Sequence, residues 1–279
     1  MGQWFSKFFR DLGFDVTICD INKRAQKTAS ELGVKNENDL NLAVPECDIV
    51  FIAVPIDSVE KVIKEVAPQM KSGSLLIEIA SVKKGVLKVM GGLTTNDIEL
   101  ISIHPMFGPT TPDIKNELVI LTPVISEKWL SKIKKLFEDS GAKTEVLSAE
   151  RHDEIMSVVL GLTQFTYMAI GSTMRALDFD ISQSRRYMSP VYEIMMDFVG
   201  RILGQDPNLY ATIQTNPNME KVRDTFILQC EYLSDLLKER NIEKFVGEME
   251  HASAHFKDTD MALKRSDELL DYRLKLTKG

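Results

Sequence analysis

Apolar runs long enough to fill a buried strand recur through the first half of the chain and then stop. They lie at Ile49–Val54, Leu75–Ile79, Leu100–Ile103 and Leu118–Leu121, with helical spacing between them at about 20–31, 56–67, 83–90 and 127–140. A helix precedes the series, with Phe5, Phe8, Phe9 and Leu12 on one face and Gly13 as its C-terminal cap, and a first strand is expected at Val16–Cys19. Buried strands alternating with amphipathic helices predict a parallel sheet covered on both faces.

After Lys143–Leu147 the pattern changes. Ser148 can cap a helix over Ala149–Leu177 whose apolar side carries Ile155, Val158, Val159, Leu162, Phe165 and Ala169. Ser189-Pro190, Asp206-Pro207 and Asn216-Pro217 each pair a capping side chain with proline at the first helical position. The expected organisation is therefore an α/β domain over 1–148 and an all-α domain over 149–279.

Composition narrows the classes of function. With 34 basic against 41 acidic residues the net charge is −7, and no basic stripe suggests nucleic acid or an anionic membrane as partner. Cys19, Cys47 and Cys230 are odd in number and widely spaced, which supports neither a disulfide framework nor a Cys-x-x-Cys site. No uninterrupted apolar stretch approaches the ~18 residues of a membrane span, and the first residues do not read as a signal peptide. A cytoplasmic location is expected.

Chemistry concentrates in two places. His104-Pro105-Met106-Phe107-Gly108-Pro109 follows an apolar strand, so an imidazole that titrates near neutrality is held in a loop stiffened by two prolines, with Gly108 allowing a close or left-handed backbone. Gly2 stands directly before the first helix, where the third glycine of G-x-G-x-x-G belongs, and Asp20 closes the next strand at the spacing of a ribose-binding acid. His251 and His255 share a helix face but lack the zincin glutamate and a third ligand, so no metal is expected; His152 is read as structural.

His104 through Pro109, Ser81-Val82-Lys83, and the helical run from Ser189-Pro190-Val191-Tyr192 through Val199-Gly200-Arg201 to Asp206-Pro207 together resemble the prephenate dehydrogenase family over nearly the whole chain. The resemblance implies a Rossmann-type first domain and a helical second domain that binds substrate and pairs two chains into a homodimer. It implies oxidative decarboxylation of prephenate by NAD, with His104 polarising the ring hydroxyl. Ser81 then hydrogen-bonds near that hydroxyl and His104, and Lys83 assists charge or nicotinamide placement. Arg201 holds a substrate carboxylate, while Gln164 and Tyr210 complete the substrate residues. Gly2, Asp20, Val54 and Pro55 fall on the cofactor side; Asp20 favours NAD over NADP, although Lys23 and Arg24 lie nearby. Gln164 departs from the family, which often carries histidine there.

Family members begin with an apolar strand and a glycine-rich loop that have no counterpart ahead of Gly2, so Met1 is expected to be an internal methionine of a longer protein. Rival readings are an arogenate or cyclohexadienyl dehydrogenase and a non-catalytic dinucleotide-binding relative. A β-hydroxyacid dehydrogenase is disfavoured because residues 154–177 contain no lysine.

Overall fold

The computed structural model describes residues 1–92 and 97–277. They form two compact units, Met1–Ile155 and Met156–Gly279. The division falls inside the helix that begins at Ala149, whose first turns carry side chains belonging to the α/β unit, rather than at the expected 148/149.

In the first unit, α1 (Gly2–Asp11) leads to β1 (Thr17–Ile18), α2 (Arg24–Leu32), β2 (Lys35–Asn36) and the short α3 (Leu40–Ala43). Then come β3 (Ile49–Ile52), α4 (Ile56–Val66), β4 (Leu75–Glu78), α5 (Lys84–Gly91), β5 (Glu99–Pro105), β6 (Leu118–Ile125), α6 (Trp129–Asp139) and β7 (Lys143–Val146). Five strands form one sheet in the order β3-β4-β5-β6-β7, and β1 and β2 form a separate parallel pair. Strand β2 has no sequence signal, because Lys35 and Asn36 are both polar and exposed.

The sheet departs from the all-parallel expectation at one place: β5 and β6 are antiparallel, with His104 opposite Ile120. Residues 106–117 contain no helix that could carry a parallel crossover, so the chain turns back on itself. One face of the sheet packs on Phe5 and Phe9 of α1 and on Ile133 and Phe137 of α6; the other packs on Val59 and Ile63 of α4 and on Met90 of α5. Gly13 adopts φ +87° at the end of α1, the left-handed conformation that glycine tolerates best.

The second unit is helical. A continuous helix over Ala149–Ala176 comprises α7 (Ala149–Met156), a π-turn segment (Ser157–Leu162) and α8 (Thr163–Ala176). It is long and apolar enough to cross a membrane by length and composition, which counting uninterrupted apolar residues did not foresee because Thr, Ser, Gly and Gln are interspersed. After α9 (Ile181–Ser184) follow α10 (Pro190–Leu203), α11 (Pro207–Gln214), α12 (Pro217–Lys238), α13 (Ile242–Phe256) and α14 (Thr259–Thr277). Ser189, Asp206 and Asn216 accept hydrogen bonds from the backbone N–H groups of Tyr192, Asn208 and Asn218, as their positions before proline predict.

The π segment packs on α12 at Gly161, where a Cβ would lie 1.9 Å from Met219 Sδ and a larger residue would have to displace that side chain. The Gln214 amide also donates to the Gly161 carbonyl at 2.9 Å.

Candidate active site

His104 ends β5 with its ring buried to 5% exposure. Burial, then the Lys83 ammonium, then His152 pull its pKa well below the ordinary histidine value, against a smaller opposing pull from Asp153. The ring is thus neutral around neutral pH, the protonation state a proton acceptor needs. The following loop is fastened by Met106, whose N–H donates to the Leu118 carbonyl at 2.9 Å, and by Phe107, whose ring lies 4.8 Å from that of Trp4. Gly108 has neither a positive φ nor a close neighbour at its Cβ position, so the two prolines and these contacts shape the loop without its special freedom.

Beneath His104 lies a buried polar cluster that the apolar pattern had concealed. Glu78, inside the run Leu75–Ile79, is fully buried and accepts from the Lys83 ammonium at 3.1 Å, the Ala80 N–H at 2.6 Å and the Ser102 hydroxyl. Lys83 also donates to the carbonyls of Ala80 at 2.6 Å and Ile103 at 2.7 Å. Burial lowers its pKa while Glu78 works the other way. Three acceptors occupy the three N–H bonds of this ammonium. Lys83 is therefore neither a solvated surface lysine nor a substrate or nicotinamide ligand; it ties the ends of β4 and β5 together and supplies positive charge behind the imidazole.

The partner of the His104 ring is His152, not Ser81. His104 Nδ1 and His152 Nε2 are 2.8 Å apart, and His152 Nδ1 is 2.8 Å from Asp153 Oδ1. Asp153 also accepts from the backbone N–H groups of Lys83 at 2.9 Å and Lys84 at 3.0 Å, capping α5. Burial opposes its charge, but the His152 donor and these two N–H groups hold its pKa below the usual range. Ser81 is half-buried in the loop after β4, with no hydrogen bond to His104 among the described residues. The sequence signal for the dyad was an adjacent histidine and aspartate at a helix start.

At the same carboxyl end of the parallel strands, Gly2 opens α1 with its Cβ position 3.4 Å from Ala53 Cβ, just beyond β3. The first N–H groups of this helix have no partner within it, which suits an anionic dinucleotide. Val54 and Pro55 follow directly, half-buried and exposed. Asp20 is exposed after β1, and its carboxylate accepts from the Asn22 N–H at 2.8 Å. The residues present fit a dinucleotide at the helix start and at the ribose acid. A broad groove of about 1070 Å³ on this unit, lined by Trp4, Lys7, Ile114, Lys132 and Leu136, contains none of the expected site residues except the neighbourhood of Met1.

In the helical unit, Arg201 is exposed in the last turn of α10 and makes no ion pair among the described residues. Its charge reaches Tyr210 of α11: burial raises the phenol pKa and Arg201 pulls it back. Gln164 is buried, and its side-chain oxygen has no hydrogen-bond partner among the described residues. His251 and His255 are exposed on α13, and no group of three or more metal-binding side chains occurs among the described residues.

Comparison with known proteins bears on the family and the fold. Residues 5–146 match the profile described as prephenate dehydrogenase, nucleotide-binding domain, and residues 148–251 the profile described as prephenate dehydrogenase, dimerization domain. A "Probable arogenate/prephenate dehydrogenase" of Methanocaldococcus jannaschii is 41% identical over 262 residues, covering 92% of this chain and 58% of that protein. The "T-protein" of Enterobacter agglomerans is 28% identical over 76% of this chain and 53% of its own length. The chain thus spans just over half the length of these curated relatives. A crystal structure of prephenate dehydrogenase from A. aeolicus in complex with hydroxyphenyl propionate and NAD+ has the same fold, with a TM-score of 0.77 at 22% identity over 92% of this chain and 94% of that one. By the two profiles, which together run from residue 5 to residue 251, the chain belongs to the prephenate dehydrogenase family.

Proposed function

We propose that this chain catalyses the NAD-dependent oxidative decarboxylation of prephenate to 4-hydroxyphenylpyruvate. The observation that carries the reading is a buried imidazole, held neutral at a strand end, in a family whose relatives are named for this chemistry. Hydride leaves the ring carbinol carbon as the bond to the ring carboxylate breaks; CO2 departs and its electron pair completes the aromatic ring. His104 accepts the ring-hydroxyl proton as hydride departs and returns it to the phenol oxygen of the product, so no net proton is released. When bound, the dinucleotide supplies the hydride acceptor. In this reading Gly2, Val54 and Pro55 would hold its phosphates and nicotinamide half, and Asp20 would accept hydrogen bonds from its ribose and repel a 2′-phosphate, favouring NAD over NADP.

Arg201 offers a planar cation without a carboxylate partner among the described residues, suited to a substrate carboxylate, and Tyr210 and Gln164, whose side-chain oxygen has no partner among those residues, are the polar groups assigned beside it. The active unit is a homodimer in this reading. Val158, Val159, Phe198, Ile227 and Leu228 leave apolar surface uncovered on the helical unit, and the family profile for that region is described as a dimerization domain. A second copy covers the long apolar helix in place of a membrane, and the site of action is the cytoplasm.

The name of the M. jannaschii relative favours arogenate as the second reading. Formation of reduced nicotinamide should be followed with prephenate and with arogenate, each with NAD+ and NADP+. Prephenate with NAD+ is expected to give the highest kcat/KM. A higher value with arogenate would assign the amino analogue as substrate, and turnover of neither despite NAD+ binding would make the chain a non-catalytic relative.

A further inference from the structure

We propose that His152 and Asp153 act as a positioning pair that fixes His104 with its proton on Nδ1 and its Nε2 bare, an assignment that rests on His104 being the proton acceptor. An ionised carboxylate only accepts, so the 2.8 Å approach of Asp153 Oδ1 puts a proton on His152 Nδ1. Asp153 cannot swing away, because Lys83 and Lys84 N–H groups hold both of its oxygens at 2.9 and 3.0 Å. A neutral His152 protonated on Nδ1 has a bare Nε2, and that nitrogen lies 2.8 Å from His104 Nδ1. Two lone pairs cannot share that distance, so His104 donates from Nδ1. Its single proton is then used, and the other nitrogen keeps its lone pair for a substrate hydroxyl.

The charged surroundings are consistent with this arrangement from every side. Strand β4 contributes Glu78, already neutralised by Lys83, and β6 places Ile120 opposite His104, so Asp153 is the anion left to orient the two rings. An imidazolium at His152 is the competing state: it would donate its Nε2 proton to His104 Nδ1 and drive the proton of His104 on to Nε2, turning the base into a donor. The neutral pair carries one buried charge fewer.

Ring-nitrogen NMR of the full chain labelled with 15N-histidine, without ligand, tests the assignment directly, with the His104 signals identified by their loss in His104→Gln. The expected result is a protonated Nδ1 and a bare Nε2 at His104; the reverse pattern, or a doubly protonated His152, overturns the proposal. In His152→Phe the His104 proton should redistribute to Nε2 and kcat with prephenate should fall roughly 10²-fold, while NAD+ affinity stays within about twofold. His152→Gln keeps an acceptor for Nδ1–H and should recover most of that loss. A glutamine variant as slow as phenylalanine, at an unchanged unfolding midpoint, would also overturn it. Failure of the underlying reading looks different, since undiminished kcat in His104→Gln would remove His104 as base whatever its tautomer.

Discussion

Strands β4 and β5 pair through four consecutive positions, and Leu75, Leu76, Ile77, Leu100, Ile101 and Ile103 are all fully buried there. Strands β1 and β2 pair through two, with Thr17 and Ile18 half-buried and Lys35 and Asn36 exposed. The first region carries His104 and backs it with an ion pair whose members have no solvent exposure; the second carries Asp20 on an exposed turn beside the exposed pair Lys35–Asp15. Among the described residues β3 closes one end of the five-stranded order, and no strand links it to β1. Proton transfer needs a group held within tenths of an ångström, whereas a ribose needs only a reachable acceptor. The contrast is therefore one of tolerance, and substitutions on the two sides should differ in kind.

The largest effect should come from breaking the buried pair. Lys83→Met leaves Glu78 uncompensated inside the sheet, which typically costs about 3–5 kcal/mol. Urea unfolding should show this loss, and adding Glu78→Gln should restore much of it. Lys35→Met, which breaks the exposed pair, should leave the midpoint unchanged. Equal losses in the two single variants would abolish the distinction drawn between the two regions.

A second way to sharpen the contrast is kinetic. His104→Asn should lower kcat by roughly 10²-fold or more while prephenate affinity changes little, because proton acceptance matters chiefly in the transition state. A value within a few-fold of the parent would rule the role out. Asp20 belongs to the other side: replacement by asparagine should weaken NAD+ only about fivefold, the scale of one exposed hydrogen bond to a charge, with kcat unchanged. Between these lies Arg201 in the helical unit. Arg201→Gln should raise KM for prephenate by roughly 30-fold, with lysine rescuing only partly and NAD+ affinity unmoved. A prephenate KM that does not change would place the carboxylate elsewhere.

Legibility in the sequence follows the same division. The buried strands and the proline-capped helix starts were readable because periodicity and capping are local: Ile49–Ile52 and Leu75–Glu78 lie within a residue or two of their expected bounds, and α10 begins at Pro190 as its cap predicts. Strand β2 and the antiparallel turn into β6 were not, since Lys35-Asn36 has no apolar content and direction depends on how a helix-free connection closes. His104 was found through its motif. Its partners were missed because Glu78 was absorbed into an apolar run, and because His152 and Asp153 lie 48 and 49 residues further on, where only the packing of α7 brings them to β5. Lys83 was taken for a ligand because a sequence shows a charge but not the three acceptors around it.

The smallest effect expected is a pH dependence of stability that belongs to the buried region alone. His104 has a folded-state pKa well below its unfolded value of about 6.5, so the unfolded chain takes up the proton first as pH falls. Above about pH 6.5 both states are neutral at this residue and it contributes no slope. Below that value stability should decline, by about 1.4 kcal/mol for each pH unit at most, until the folded pKa is reached. Asp153 has the same sign in a lower window: its stabilisation is complete above the unfolded carboxylate value of about 3.9 and is lost as pH falls through the depressed folded value. Urea unfolding of the parent and of His104→Asn between about pH 7.5 and 3 separates the two, because the variant should lose the slope below about 6.5 while keeping the one that begins near 4. If His104→Asn retains the full decline between pH 7.5 and 5, the imidazole is not the group whose burial the fold sustains, and the contrast between the two regions loses its electrostatic half.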